Sequence, residues 1–223
     1  MFANANPNML STYDFSVLGF PPPAAFLAAP NETHFMLDLE TLALSPDAAI
    51  TEIGCVNMNT GKAFHCHVID NYGKRDPGTI AWRSENQLGW KIIVGAEDDC
   101  YLLYVALSMF FDWLQLQTVA APNDLDTVLQ ATKEGTVKTI VMWCKGTDFD
   151  NVITTAAAKS VDLTVPWKYN NFFDVRTLLK LFPQFKIPKE QVTHNALEDA
   201  ILQAGQLLRI AAEFSSIKRH AGE

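Results

Sequence analysis

The run Phe35-Met36-Leu37-Asp38-Leu39-Glu40 sets two acidic residues inside an otherwise apolar segment. Bounded by Asn31-Glu32 before it and Thr41 after it, the run reads as a buried β-strand. Side chains two apart on a strand face the same way, roughly 7 Å from each other. Two carboxylates on one face of a core strand are unfavourable unless positive charge lies between them. A divalent cation at the strand's end meets that need, because such ions take carboxylate oxygens as ligands. A chain carrying this pair must then fold so that further ligands reach the same place.

Two later segments can supply them. Gly146-Thr147-Asp148-Phe149-Asp150-Asn151 directly follows a second apolar run, Thr139 to Cys144. His194-Asn195-Ala196-Leu197-Glu198-Asp199-Ala200 opens an amphipathic helix. Taken singly, each has an ordinary explanation. Asp150 is a first-turn carboxylate facing a helix N-terminus, Asp148 is an alternative ligand or an N-cap, and Asp199 and His194 are a solvated helix residue and a capping or surface histidine. His194 precedes Asp199 by five residues, more than one helical turn. It is therefore expected on the loop leading into the helix.

In order along the chain, these three places resemble the motifs of the DEDDh 3′-5′ exonucleases, the superfamily of RNase T, oligoribonuclease and polymerase proofreading domains. Asp38-Leu39-Glu40-Thr41 is similar to the first motif, Asp-x-Glu-Thr. Phe149-Asp150-Asn151 is similar to the second, in which the aspartate after Phe is the ligand, and His194 through Asp199 to the third, His-x4-Asp. The resemblance spans about residues 33–214. From Trp143 to Leu178, with Pro166-Trp167-Lys168 and Phe173-Asp174-Val175-Arg176-Thr177, the chain looks most like the phage-type exonucleases and the RNase T-like bacterial exoribonucleases.

The resemblance implies two Mg²⁺ or Mn²⁺ ions held by Asp38, Glu40, Asp150 and Asp199, with His194 as general base. An all-oxygen ligand set suits hard cations, and an imidazole exchanges protons near neutral pH. The implied activity is 3′-5′ hydrolysis of single-stranded DNA or RNA from its 3′ end, releasing nucleoside 5′-monophosphates. Thr41 and Leu42 are expected at the terminal nucleotide, with Trp82 stacking on a base and Lys145 touching phosphate. Lys168 and Arg176 are further phosphate candidates, and Trp143 reads as core. Two other functions remain open at this point. One is a phosphodiesterase acting on short oligonucleotides or small nucleotides. The other is a binding module that kept the fold without catalysis, against which stands the presence of all five residues. RNase T-like relatives are often dimers, so the resemblance extends to a homodimer.

The implied fold is α/β, an RNase H-like mixed sheet of five strands flanked by helices. Locally, strands are expected at about 33–40, 49–58 and 62–70, with Asn59-Thr60-Gly61 turning the chain between the last two. Residues 71–92 read as loop and 96–117 as a helix with an apolar face. Residues 118–137 show no firm pattern. A strand at 138–144 leads to a helix at about 148–160, and Asp174 N-caps a helix that Pro183 ends. The last helix is expected over 194–214. Residues 1–32 then form an N-terminal arm, 33–214 the exonuclease domain and 215–223 a tail.

The chain has 223 residues, 48% apolar, with a formal charge of −8. Proteins that coat nucleic acid through many phosphates usually carry a basic face. The acidic total therefore favours a grip on a few phosphates at a chain end, with metal offsetting the carboxylates. The four cysteines show no CxxC spacing and read as reduced and buried, in a cytoplasmic setting (that of the host cell for a phage protein). His65-Cys66-His67 reads as strand alternation, since no further Cys or His lies nearby to complete a zinc set. No segment has the length and purity of a membrane span, and the opening residues lack the basic region of a signal peptide.

Overall fold

A computed structural model describes residues 10–17, 19–21, 29–69, 72–86, 100–120, 124–188 and 192–221. Its centre is β2 (Glu32–Thr41), flanked by β3 (Ile50–Asn57) on one side and β6 (Thr139–Cys144) on the other. β2 runs antiparallel to β3 and parallel to β6. β3 turns back into β4 (Lys62–Val68) through a tight turn in which the Gly61 N–H donates to the Asn57 carbonyl at 2.8 Å. Gly61 has φ +74°, a conformation that favours glycine. β7 (Phe172–Asp174) pairs parallel with β6.

The mixed sheet expected from the sequence is present, with seven strands among the described residues rather than five. The two extra strands are short. β1 (Leu10–Thr12) and β5 (Cys100–Tyr101) both pair with β4, antiparallel at its start and parallel at its end. Runs of two or three residues carry too little alternation to be read from sequence.

The sheet's two faces follow the period of two. Phe35, Leu37, Leu39, Ile53, Cys55 and Phe64 pack on one face under α2 (Leu103–Leu116) and α4 (Asp150–Ser160). Met36, Val56, Met58, Val141 and Trp143 pack on the other under the long helix α6 (Ala196–Ala221). Asp38 and Glu40 continue the Met36 row, so both carboxylates lie on the α6 side. Trp143 is core, packed on Phe173 at 5.0 Å between ring centroids.

Three local expectations need correction. The loop expected over 71–92 contains α1 (Pro77–Glu85), N-capped by Asp76, whose carboxylate accepts the Thr79 N–H at 2.8 Å. Asp76-Pro77-x-Thr79 is a helix-start signal that the neighbouring glycines masked. The helix expected from residue 96 begins at Leu103, because Cys100 and Tyr101 are a strand; residues 96–99 lie outside the described residues, as do Gly89 and Trp90. Within 118–137, α3 (Leu125–Glu134) runs from the N-cap Asp124 to Gly135 at φ +68°. The last helix reaches Ala221, seven residues beyond the apolar pattern. α5 (Val175–Leu181) starts at the Asp174 cap as expected and stops before Pro183. No described helix is long and apolar enough to cross a membrane.

Candidate active site

Asp38 and Glu40 reach the α6 side where the sheet stops being apolar. Asp38 stands directly across the ladder from Gly54. A Cβ at Gly54 would overlap the Ala196 carbonyl carbon and the Leu197 nitrogen. The missing side chain lets the first turn of α6 rest on β3, which carries Asp199 up to the strand carboxylates. Gly54→Ala is expected to destabilise the fold by about 1–3 kcal/mol through overpacking. It should also push Asp199 out of register. Thermal melts and turnover measured together check this, and an unshifted melt with normal activity would refute the close-approach argument.

β2 and β3 shift register between Glu40 and Thr41, a bulge at the mouth of the site. Glu40 is 7% exposed and accepts a hydrogen bond from Arg83 Nη1 at 2.5 Å. Asp38 accepts from Gln203 Nε2 of α6 at 2.7 Å. After β6, the chain turns at Gly146 (φ +134°) so that Asp150 becomes the first residue of α4. Asp150 is 4% exposed, whereas Asp148 faces solvent. It is thus Asp150 that is brought against Asp38.

The electrostatics report the crowding of these carboxyls. Burial pushes Asp38 well above the usual carboxylate range, reinforced by repulsion from Asp150 and Glu40 and, more weakly, Asp199. Burial lifts Asp150 to about 7, even though the Cys144 thiol, the Leu39 N–H and the Arg176 charge all favour its ionised form. Glu40 is likewise raised to about 7 by burial, against the opposing pull of Arg83 and with added repulsion from Glu52 and Asp199. Four mutually repelling carboxyls on three elements fit a hard divalent cation, since the donor set is oxygen throughout.

These shifts set a pH dependence. Below about pH 4 the carboxyls are protonated in folded and unfolded chains alike. As pH rises towards 7 the unfolded chain releases protons that the folded chain retains, so stability without metal is lost across that window. Moving one carboxyl this far corresponds to on the order of 3 kcal/mol. The melting temperature in EDTA is expected to fall between about pH 4 and pH 7, and Mg²⁺ or Mn²⁺ should restore it at the upper end. A melting temperature that rises through that window in EDTA would contradict the clustering.

His194 precedes α6 and adopts φ +55°, a left-handed conformation that is strained for a residue with a side chain. Asp199 holds it there. One carboxylate oxygen accepts the Thr193 N–H at 3.0 Å and its hydroxyl at 3.3 Å; the other accepts the His194 N–H at 3.2 Å. The imidazole sets its ring at 85° to that of Trp82, 5.0 Å between centroids. Glu40, His194 and Asp199 each offer a ligand atom within 4.8 Å of the others.

α1 walls the remaining side. Leu39, Glu40, Thr41, Leu44, Thr79, Trp82, Arg83, Phe149 and His194 are among the residues lining a cleft of about 490 Å³. Of the residues expected to touch substrate, Thr41 and Trp82 line this cleft. Leu42 is buried beneath it, its carbonyl accepting the Asp76 N–H at 2.7 Å, while the exposed Leu44 stands in the cleft. Lys145 does not line it; its carbonyl accepts from Arg176 Nη2 at 2.7 Å. Lys168 faces solvent. Sequence reasoning missed Arg83, Gln203 and Leu44, and named Phe149 only as the residue before Asp150 in the second motif, not as part of the cleft. Only Arg83 had a legible signal, through the start of α1.

Comparison with known proteins then gives four findings. Residues 33–211 match the family model of the 3′-5′ exoribonuclease Rv2179c-like domain. Among solved structures, the nuclease domain of 3′hExo, a DEDDh family member bound to rAMP, superposes with a TM-score of 0.51 at 12% identity, covering 81% of this chain and 92% of that one. A full-length 3′-exonuclease aligns with a TM-score of 0.49 at 13% identity, over 82% of this chain and 83% of that one. No curated protein matches the sequence.

Proposed function

The chain belongs to the family of 3′-5′ exoribonuclease Rv2179c-like domains, and from that premise we propose that it is a divalent-metal-dependent 3′-5′ exonuclease that shortens single-stranded RNA and releases nucleoside 5′-monophosphates. One observation carries this reading: the carboxyls of Glu40, Asp150 and Asp199, from three separate parts of the chain, crowd that of Asp38, Glu40 and Asp199 lie within ligand reach of His194, and Glu40 and His194 line a cleft.

Mg²⁺ or Mn²⁺ would be held by the four carboxylates, and a bound pair of such ions lowers the pKa of water and offsets charge on the leaving oxygen. The protein's own groups do the rest. His194 accepts the proton of the attacking water as its oxygen bonds to phosphorus and the bond from phosphorus to the 3′-oxygen breaks. Asp199 orients His194 through its backbone. Leu44, Trp82 and Phe149 offer an apolar wall to the terminal base. Thr41 stands beside Glu40 at the sugar, and the cleft volume suits one nucleotide.

The test is a length series of 5′-labelled RNA and DNA oligomers with Mg²⁺ or Mn²⁺. The expected result is a stepwise ladder from free 3′-OH ends, with RNA preferred, silenced by EDTA. Oligomers ending in 3′-phosphate and circular strands should resist. Rapid cutting of circular strands would show an endonuclease, full activity in EDTA would remove the metal, and turnover confined to dinucleotides would make the chain a small-nucleotide phosphodiesterase.

A further inference from the structure

His65 and His67 stand two apart on β4 and share a face, while Cys66 between them is buried in the opposite core. On β3, Glu52 pairs directly with His67 and Gly54 with His65. The three side chains therefore meet at the strand ends. One carboxylate oxygen of Glu52 and one ring nitrogen from each histidine all lie within 4.8 Å of one another. The two rings pack edge to face, 4.9 Å between centroids.

Glu52 is 2% exposed. Its Oε1 lies 2.6 Å from His65 Nε2 and accepts the Ala196 N–H at 3.1 Å; Oε2 takes neither contact. Glu52 also sits directly opposite Glu40 across the β2–β3 ladder, a like-charge pairing that is unfavourable when left uncompensated. Arg83 answers Glu40, not Glu52. Both histidines are partly exposed, which leaves an ion a path from solvent.

We propose that Glu52, His65 and His67 form a second metal site, separate from the four-carboxylate centre and selective for a borderline ion such as Zn²⁺ or Co²⁺. Two imidazoles and one carboxylate are donors that such ions favour, with room for a water as fourth ligand. Mg²⁺ prefers an all-oxygen shell and belongs at the other centre. An ion here lies one strand away from Glu40 and on the residue that anchors the start of α6. Its occupancy would therefore be felt at the catalytic side. The proposal stands independently of the nuclease reading, because it is scored by binding and not by turnover.

The experiment titrates the full chain with Co²⁺ in excess Mg²⁺, following visible absorption and bound metal by dialysis. The wild type should bind one Co²⁺ with a band typical of nitrogen ligation. The double variant E40Q/D199N, which dismantles the carboxylate centre, should bind the same single ion. H65Q/H67Q should lose both ion and band. H67Q alone keeps the contact of His65 with Glu52, so it decides the matter if the double histidine variant fails to fold. It should weaken Co²⁺ binding by more than about tenfold, since even outer-shell losses cost 10–100-fold. Undiminished binding by H67Q, or no binding by E40Q/D199N, would overturn the proposal and leave the cluster a hydrogen-bonded brace for α6.

Discussion

Replacing Asp38 or Asp150 with asparagine is expected to lower turnover by on the order of 10³-fold or more. A metal ion supplies several kcal/mol of transition-state stabilisation, and each 1.36 kcal/mol is about tenfold in rate. Both residues are packed into the shared cluster, and asparagine keeps their shape while removing the charge. The same variants should be more heat-stable than the wild type in EDTA at about pH 8, because a repelling buried charge is gone. Each kcal/mol regained is worth roughly 2–4 °C for a chain of this length. Asp148→Asn, at an exposed position, should keep near-normal activity. Oligomer turnover and melting curves on the three variants decide the matter. A dead Asp148 variant beside an active Asp150 variant would show that the ligand is the wrong aspartate.

His194→Ala should reduce kcat by on the order of 10²–10⁴-fold, the usual contribution of a general base, while Mn²⁺ binding stays close to wild type. The substitution removes the ring but keeps the backbone N–H that Asp199 accepts, so the loop retains its anchor. Because His194 sits at φ +55°, His194→Gly should be the more stable of the two inactive variants, glycine meeting no penalty in that region. Single-turnover kinetics, Mn²⁺ titration and melts separate these effects. Undiminished single-turnover rates in His194→Ala would take the base out of the mechanism.

Much of this was legible in the sequence because it follows local period. Phe35 to Glu40 alternate between two faces, so the two acids had to share one of them. His194 lay too far from Asp199 for one helical turn and was expected on a loop, where it is found. The element types were readable for the same reason, whereas joining the three motifs into one site came from their resemblance to the DEDDh exonucleases. Of the elements that were misread, α1 was hidden among glycines, and β1 and β5 are too short to show a pattern.

What the sequence determined by itself, then, is which residues carry the charge and on which face of which element they stand. That information is encoded by neighbours two to five positions apart. The tertiary structure alone decided how those charges are met. Arg83 answers Glu40 from 43 positions away, Ala196 reaches Glu52 across 144, and Gln203 reaches Asp38 across 165. Gly54 matters only because a helix far along the chain lies on it. Such contacts leave no periodic trace, since they arise from packing sheet against helix, and it is the burial they bring that raises the carboxyl pKa values of the cluster.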